Sequence, residues 1–147
     1  MDRISDIEDL MIGALKEAIP DAHVETRSVP LTEAELTKIL GMAPFVYIEY
    51  AGGASARQDE SGQTLSRKLE FNLFVAARSL RSKQEAQRGS YELLMNIFNA
   101  LDHSTLSNTE TGKKAGPFEW SSEAAVFVSD DGGTVYQSVY TLTEMIQ

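Results

Sequence analysis

The sequence predicts a single α+β domain spanning 1–147, in which an antiparallel-rich mixed sheet carries two main helices on one face. Two patterns and one composition lead there. Leu69, Phe71, Leu73, Val75 and Ala77 alternate with Lys68, Glu70, Asn72, Phe74 and Ala76, the period of two of a strand with one buried face. Ile4, Ile7, Met11, Ala14, Leu15 and Ala18 recur at helical spacing, as Ala86, Leu93, Leu94, Ile97, Phe98 and Leu101 mostly do. A chain of 147 residues that is 42% hydrophobic suits one domain and can bury a real core.

Taken in order, the first helix should run from about Asp2 to Ile19 and stop at Pro20, which cannot continue it. A short strand around Val24 follows. Thr32 and Glu35 then form a T-x-x-E capping box, in which hydroxyl and carboxylate each satisfy a free backbone N–H, and the brief helix it opens closes at Gly41. Phe45 to Tyr50 reads as a buried strand. Residues 52–63, GGASARQDESGQ, are small, polar and rich in glycine, so a mobile loop joining two antiparallel strands is expected there. After the strand near residue 71, Ser82 and Glu85 make a second capping box that starts the third helix. Residues 102–120, broken by Gly116-Pro117, read as another irregular, mobile connection pinned by Phe118 and Trp120. A closing hairpin pairs Ala124 to Ser129 with Thr134 to Leu142 around Asp130-Asp131-Gly132-Gly133.

Composition narrows function. No run approaches the roughly eighteen consecutive apolar residues of a membrane span, and the start, MDRISDIEDL, lacks the cationic and apolar blocks of a signal peptide, so a cytoplasmic protein without a membrane partner is expected. Zero cysteines exclude thiolate nucleophiles and thiolate zinc sites. A net charge of −9 argues against a dedicated nucleic-acid binder, because phosphate contacts need a clustered cationic surface. His23 and His103 sit at element junctions and form no metal-binding pair. In 108–115, NTETGKKA, Ser107 stands where a phosphate loop needs its first glycine and Lys114 where it needs Ser or Thr. Asp59-Glu60 and Asp130-Asp131 lie in glycine-containing loops with no apolar pocket in view to tune one carboxyl for acid/base work. No catalytic, cofactor-binding or metal-binding residue is assigned, no cofactor is called for, and a non-enzymatic protein is expected.

The charge is uneven. Arg67, Lys68, Arg78, Arg81, Lys83 and Arg88 face only Glu70 and Glu85 between residues 67 and 88, six against two for a local +4. Beyond Lys114 no basic residue occurs, whereas Glu119, Glu123, Asp130, Asp131 and Glu144 do. Opposite poles suit head-to-tail association of identical subunits, and they single out Arg78, Arg81, Arg88, Arg67, Lys68, Asp130 and Asp131 as candidate interface residues. Two plainer readings stand beside this one: Arg78 and Arg81 brace the strand-to-helix turn internally, or the surface is an ordinary solvated one with uneven charge.

The same stretch carries a resemblance. A-R-S-L-R at 77–81 and R-G-S-Y-E-L-L at 88–94 are similar to the signature of a small family of Mu-like phages and prophages, the family of Mu's thirty-seventh gene product. The N-terminal helix, the A-P-F-V-Y-I-E-Y strand near residue 43 and the V-Y-Q-S-V-Y-T-L-T strand at 135–143 fit its layout over most of the chain. The resemblance implies a tail-terminator-like fold and a structural role. The protein would assemble with itself as a ring, a hexamer being the suggested form, at the head-proximal end of the tail tube. There it would stop tube or sheath polymerisation and meet the head-tail connector. It would act in the bacterial cytoplasm during assembly and then in the virion tail, with no sequence-specific nucleic acid. The alternatives are a head-side connector or neck subunit, and a small ligand-binding or regulatory domain.

Overall fold

The computed structural model describes residues 2–27, 32–41, 43–77, 83–128 and 133–145, with the side chains of 27, 39 and 83–88 outside that description. In chain order the elements are α1 (Arg3–Ala18), β1 (His23–Arg27), α2 (Glu33–Leu40), β2 (Phe45–Gln58), β3 (Thr64–Ala76), α3 (Lys83–Leu101), β4 (Leu106–Ser107), β5 (Lys114–Ala115), β6 (Phe118–Val128) and β7 (Thr134–Met145). Five of the strands form one sheet in the order β1-β2-β3-β7-β6. Only β1 is parallel to its neighbour, so the sheet is mixed and antiparallel-rich, as the sequence predicts.

Helix α1 starts where Asp2 accepts the Ser5 N–H at 2.8 Å, a cap that also holds the Asp2 carboxyl below its ordinary range. It buries Ile7, Leu10, Met11 and Leu15; Ala18, expected on that face, is exposed, and Ile19 just beyond the helix is buried instead. The Thr32 box forms: Glu35 N–H donates to Thr32 Oγ1 at 3.2 Å, and Thr32 N–H donates to Glu35 Oε2 at 3.4 Å. The Ser82 box falls outside the described residues. Helix α3 buries Leu94, Ile97 and Leu101.

Alternation along the strands sends two sets of side chains to two faces. Val46, Ile48, Leu69, Phe71, Leu73, Val75, Tyr140 and Leu142 meet α1 and α3 in the main core. On the other face, Phe45, Tyr47, Ala76 and Val135 make a smaller core with Leu36 and Leu40 of α2. The brief second helix therefore covers one end of the face opposite the two long helices.

Two segments expected as loops contain strand. Strand β2 continues through 52–58 and pairs with 64–70, so the connection shrinks to 59–63. There Asp59 Oδ1 accepts the N–H groups of Ser61 and Gln63, both at 2.9 Å, and Gly62 takes φ 88°. Backbone pairing supplies the order that the side chains do not advertise, because Gly, Ala and Ser carry no hydrophobic alternation. In 102–120, β4 and β5 form a small hairpin whose turn is built on Asn108 Oδ1, which accepts the Glu110 N–H at 2.9 Å. β6 begins at Phe118, six residues ahead of the expected start at Ala124; its first residues pair with Leu142 to Val139 while most of their side chains remain exposed.

Candidate functional site

Of the residues singled out from sequence, Arg78, Arg81, Asp130 and Asp131 lie outside the described residues, as does the side chain of Arg88. Arg67 and Lys68 are neighbours on β3 and therefore point to opposite faces of the sheet. They do not form one patch. Lys68 is exposed, opposite Thr143 on β7 and Ala54 on β2. Arg67 lies on the helix-covered face, opposite Glu144 on β7.

Glu144 is the centre of a small charge cluster. Arg3 Nε donates to its Oε1 at 2.9 Å, and Arg67 Nη2 sits 3.8 Å from Oε2. Arg3 also donates to the Lys114 carbonyl, so one side chain ties α1 to β5 and β7. Beside it, Lys113 Nζ meets Asp6 Oδ1 at 2.6 Å and docks the β4–β5 hairpin on α1. An open cleft of about 760 Å³ runs along this edge, lined by Arg3, Arg67, Lys114, Gly116, Glu144 and Met145 among others. Three cations against one carboxylate make it locally positive in an otherwise acidic protein. Arg3 is committed to Glu144, whereas among the described residues Arg67 makes only the long contact.

The family-like run is in part a packing device. Ser90 is buried, and its Oγ accepts the Ala77 N–H at 3.1 Å where β3 ends. A Cβ at Gly89 would meet the Ala77 Cβ at 3.0 Å, so glycine lets α3 approach this strand end. Tyr91 points outward and meets Tyr136 edge-on with ring centroids 5.9 Å apart. Burial, with the Tyr91 hydrogen bond second, pushes the Tyr136 phenol up to about 12.

The sheet's edges are the other notable surfaces. On β6, the segment Asp102–Ser104 closes only the beginning: His103 N–H donates to the Phe118 carbonyl, Phe118 N–H to the Ser104 carbonyl, and Trp120 N–H to Asp102 Oδ1. Among the described residues, nothing pairs with the outer edge of β6 from Ser121 to Val128. Around this edge Tyr91, Met95, Trp120, Val126 and Val128 are 43–64% exposed, a concentration of bulky apolar groups on one side of the molecule. At the opposite side β1 covers β2 only as far as Glu49, leaving the outer edge of 50–58 unpaired among the described residues. The sequence does not mark Arg3 or the β6 edge, and Glu144 stands out there only as one of the acidic residues beyond Lys114. The run Ala124-Ala125-Val126-Phe127-Val128 is uncharged and reads as strand, but nothing in it says that the strand stands at an edge.

Among the described residues no group of three or more His, Asp or Glu could hold a metal ion, and no helix is long and apolar enough to cross a membrane. No protein-family model matches the chain, and no curated protein matches it.

Proposed function

We propose that this protein is a structural phage tail-completion subunit, which forms a ring of identical copies at the head-proximal end of the tail tube, ends its polymerisation and joins tail to head. One observation carries the reading: among the described residues the sheet ends on both sides in unpaired strand edges, and one of these is flanked by exposed Tyr91, Met95, Trp120, Val126 and Val128. A lone soluble domain normally blunts such edges, whereas a subunit of an assembly covers them with its neighbours. The two edges differ, so contact between them is heterologous and closes into a ring when the rotation allows. The A-R-S-L-R and R-G-S-Y-E-L-L resemblance points to the same role. A small-ligand domain is the weaker reading, because the cleft beside Glu144 is open and its most committed cation is already paired within the chain.

The test is assembly and tail length. Native mass spectrometry across concentration and salt should yield a discrete closed oligomer, alone or on isolated tail tubes, and depleting the protein should release tails of uncontrolled length. A chain that remains monomeric and ignores tail tubes refutes the reading.

A further inference from the structure

We infer that the outer edge of β6 in one copy pairs antiparallel with the outer edge of the 50–58 arm of β2 in the next, joining the sheets of neighbouring subunits into one. The inference rests on the reading of this protein as a subunit of a ring, and it names the contact.

Direction comes first. Within the sheet β2 and β3, β3 and β7, and β7 and β6 are each antiparallel, so β6 runs opposite to β2. Rotation about a ring axis preserves that relation when copies stand side by side in the same orientation. The β6 of one copy thus meets the β2 of its neighbour antiparallel, the geometry in which extended segments most readily add to a sheet.

Regular structure on the two edges matches as well. Bulges interrupt β2 between Tyr50 and Gly52 and again between Ser55 and Arg57, leaving the uninterrupted run Gly52–Ser55. Bulges interrupt β6 between Trp120 and Ser122 and between Ala125 and Phe127, leaving the uninterrupted run Ser122–Ala125. Each edge thus offers one four-residue stretch able to continue a ladder, and bulges discourage pairing elsewhere.

Face and charge together set the register. Glu123 lies opposite Ser138 and Ala125 opposite Tyr136, on the helix-covered face; Gly53 lies opposite Leu69 and Ser55 opposite Arg67, on that same face. Keeping the helix-covered faces continuous leaves registers that differ by two residues, and the one that brings Glu123 opposite Ser55, with Arg67 behind it, places Gly53 opposite Ala125 and Ala54 opposite Ala124. A shift of one residue would put side chains on the wrong faces. Arg67 stands behind Ser55 on the next strand, about 10 Å from the incoming strand at two strand spacings. The short serine leaves the space between them open, and the long Glu123 and Arg67 side chains span it. Arg67 is the cation whose only described ion pair is the 3.8 Å contact.

The cysteine-free chain makes the test direct. Ala54 and Ala124 are both exposed, so Ala54→Cys and Ala124→Cys disturb no core. Within one copy the two positions lie three strand spacings of about 4.8 Å apart across the sheet, roughly 14 Å, and are also offset along it, because Ala54 aligns through Lys68 with Thr143 and Ala124 with Gln137; they are too far apart for a disulfide. Mild oxidation of the double variant should give a ladder of linked multimers on a non-reducing gel, and mixing the two single variants should give linked heterodimers. Neither single variant should link to itself. Glu123→Lys should weaken association at least tenfold at low salt while leaving the melting temperature unchanged. A dimer from Ala124→Cys alone would mean that β6 pairs with its own copy, and would overturn the inference. So would an oligomer in which the mixed cysteines do not link, or an unchanged affinity in Glu123→Lys; in both cases assembly itself would stand. A wild-type chain that never associates and ignores tail tubes would overturn the ring reading along with the contact.

Discussion

Replacing Tyr140 by phenylalanine should stabilise this protein. The ring is fully buried at the centre of the main core, yet its hydroxyl has no hydrogen-bond partner among the described residues. Ser138 Oγ, on the same face two residues away, is equally unpartnered; it is near enough to favour the phenolate slightly, but not in a geometry that makes a bond. A buried, unbonded hydroxyl costs about 1–3 kcal/mol by mutational measures. Phenylalanine keeps the ring's packing and removes that cost, so a gain of about 1 kcal/mol is expected, or ~2–4 °C in melting temperature for a domain of this size. The variant should also differ at high pH. Burial raises the Tyr140 phenol well above the ordinary value of 10, helped by the charges of Glu123 and Asp102. With the folded value raised, the stability tied to the neutral phenol is complete below pH ~10 and lost as pH climbs toward the folded value. Tyr140→Phe should therefore lose less stability than wild type between pH 10 and 11. Urea denaturation at pH 7 and 10.5, checked for an unchanged m-value, measures both effects. A loss of 1 kcal/mol or more at pH 7 would refute the reasoning, because it would mean that the hydroxyl is bonded, for example through a buried water shared with Ser138.

Further outcomes follow from glycine, charge and turn geometry. Gly13→Ala should stabilise by about 0.5–1 kcal/mol, since a Cβ there meets nothing within 4 Å inside α1. Gly116→Ala should destabilise by about 2 kcal/mol or more, because φ is 132° and the Cβ would lie 2.6 Å from the Ser104 carbonyl oxygen; equal melting temperatures for the two variants would contradict this. Arg3→Ala should cost about 1.5–3 kcal/mol in chemical denaturation and Arg67→Ala within about 0.5, given contacts of 2.9 and 3.8 Å to the same carboxylate; the reverse order would remove Arg3 from its tying role. Asp59→Ala should speed amide exchange of Ser61 and Gln63. Because bonds from Ser61 and Gln63 lower the Asp59 pKa, the wild-type turn should loosen in the same way only as pH falls below the ordinary carboxylate value toward the lowered one. Exchange that does not respond to acid would count against the Asx turn.

What the sequence determined by itself were the features that repeat an apolar pattern along the chain or open on a capping box. Periodicity located α1, β3 and α3, and the Thr32 box located α2, because a helix or strand with one buried face repeats its apolar residues in the chain. The α+β class with both long helices on one face followed from those patterns. The distal half of β2 and the first residues of β6 stayed hidden for a shared reason: their order comes from ladder bonds to β3 and β7, and side chains such as Ala54 and Ser122 record neither alternation nor burial. Charge counts likewise grouped Arg67 with Lys68, although adjacent strand residues face opposite ways. Only the tertiary structure brought Arg3, Arg67 and Glu144 together from positions up to 141 residues apart, and only strand order left β6 and the arm of β2 uncovered. Which strand stands at an edge depends on how the whole sheet pairs, and no single segment of the chain carries that information.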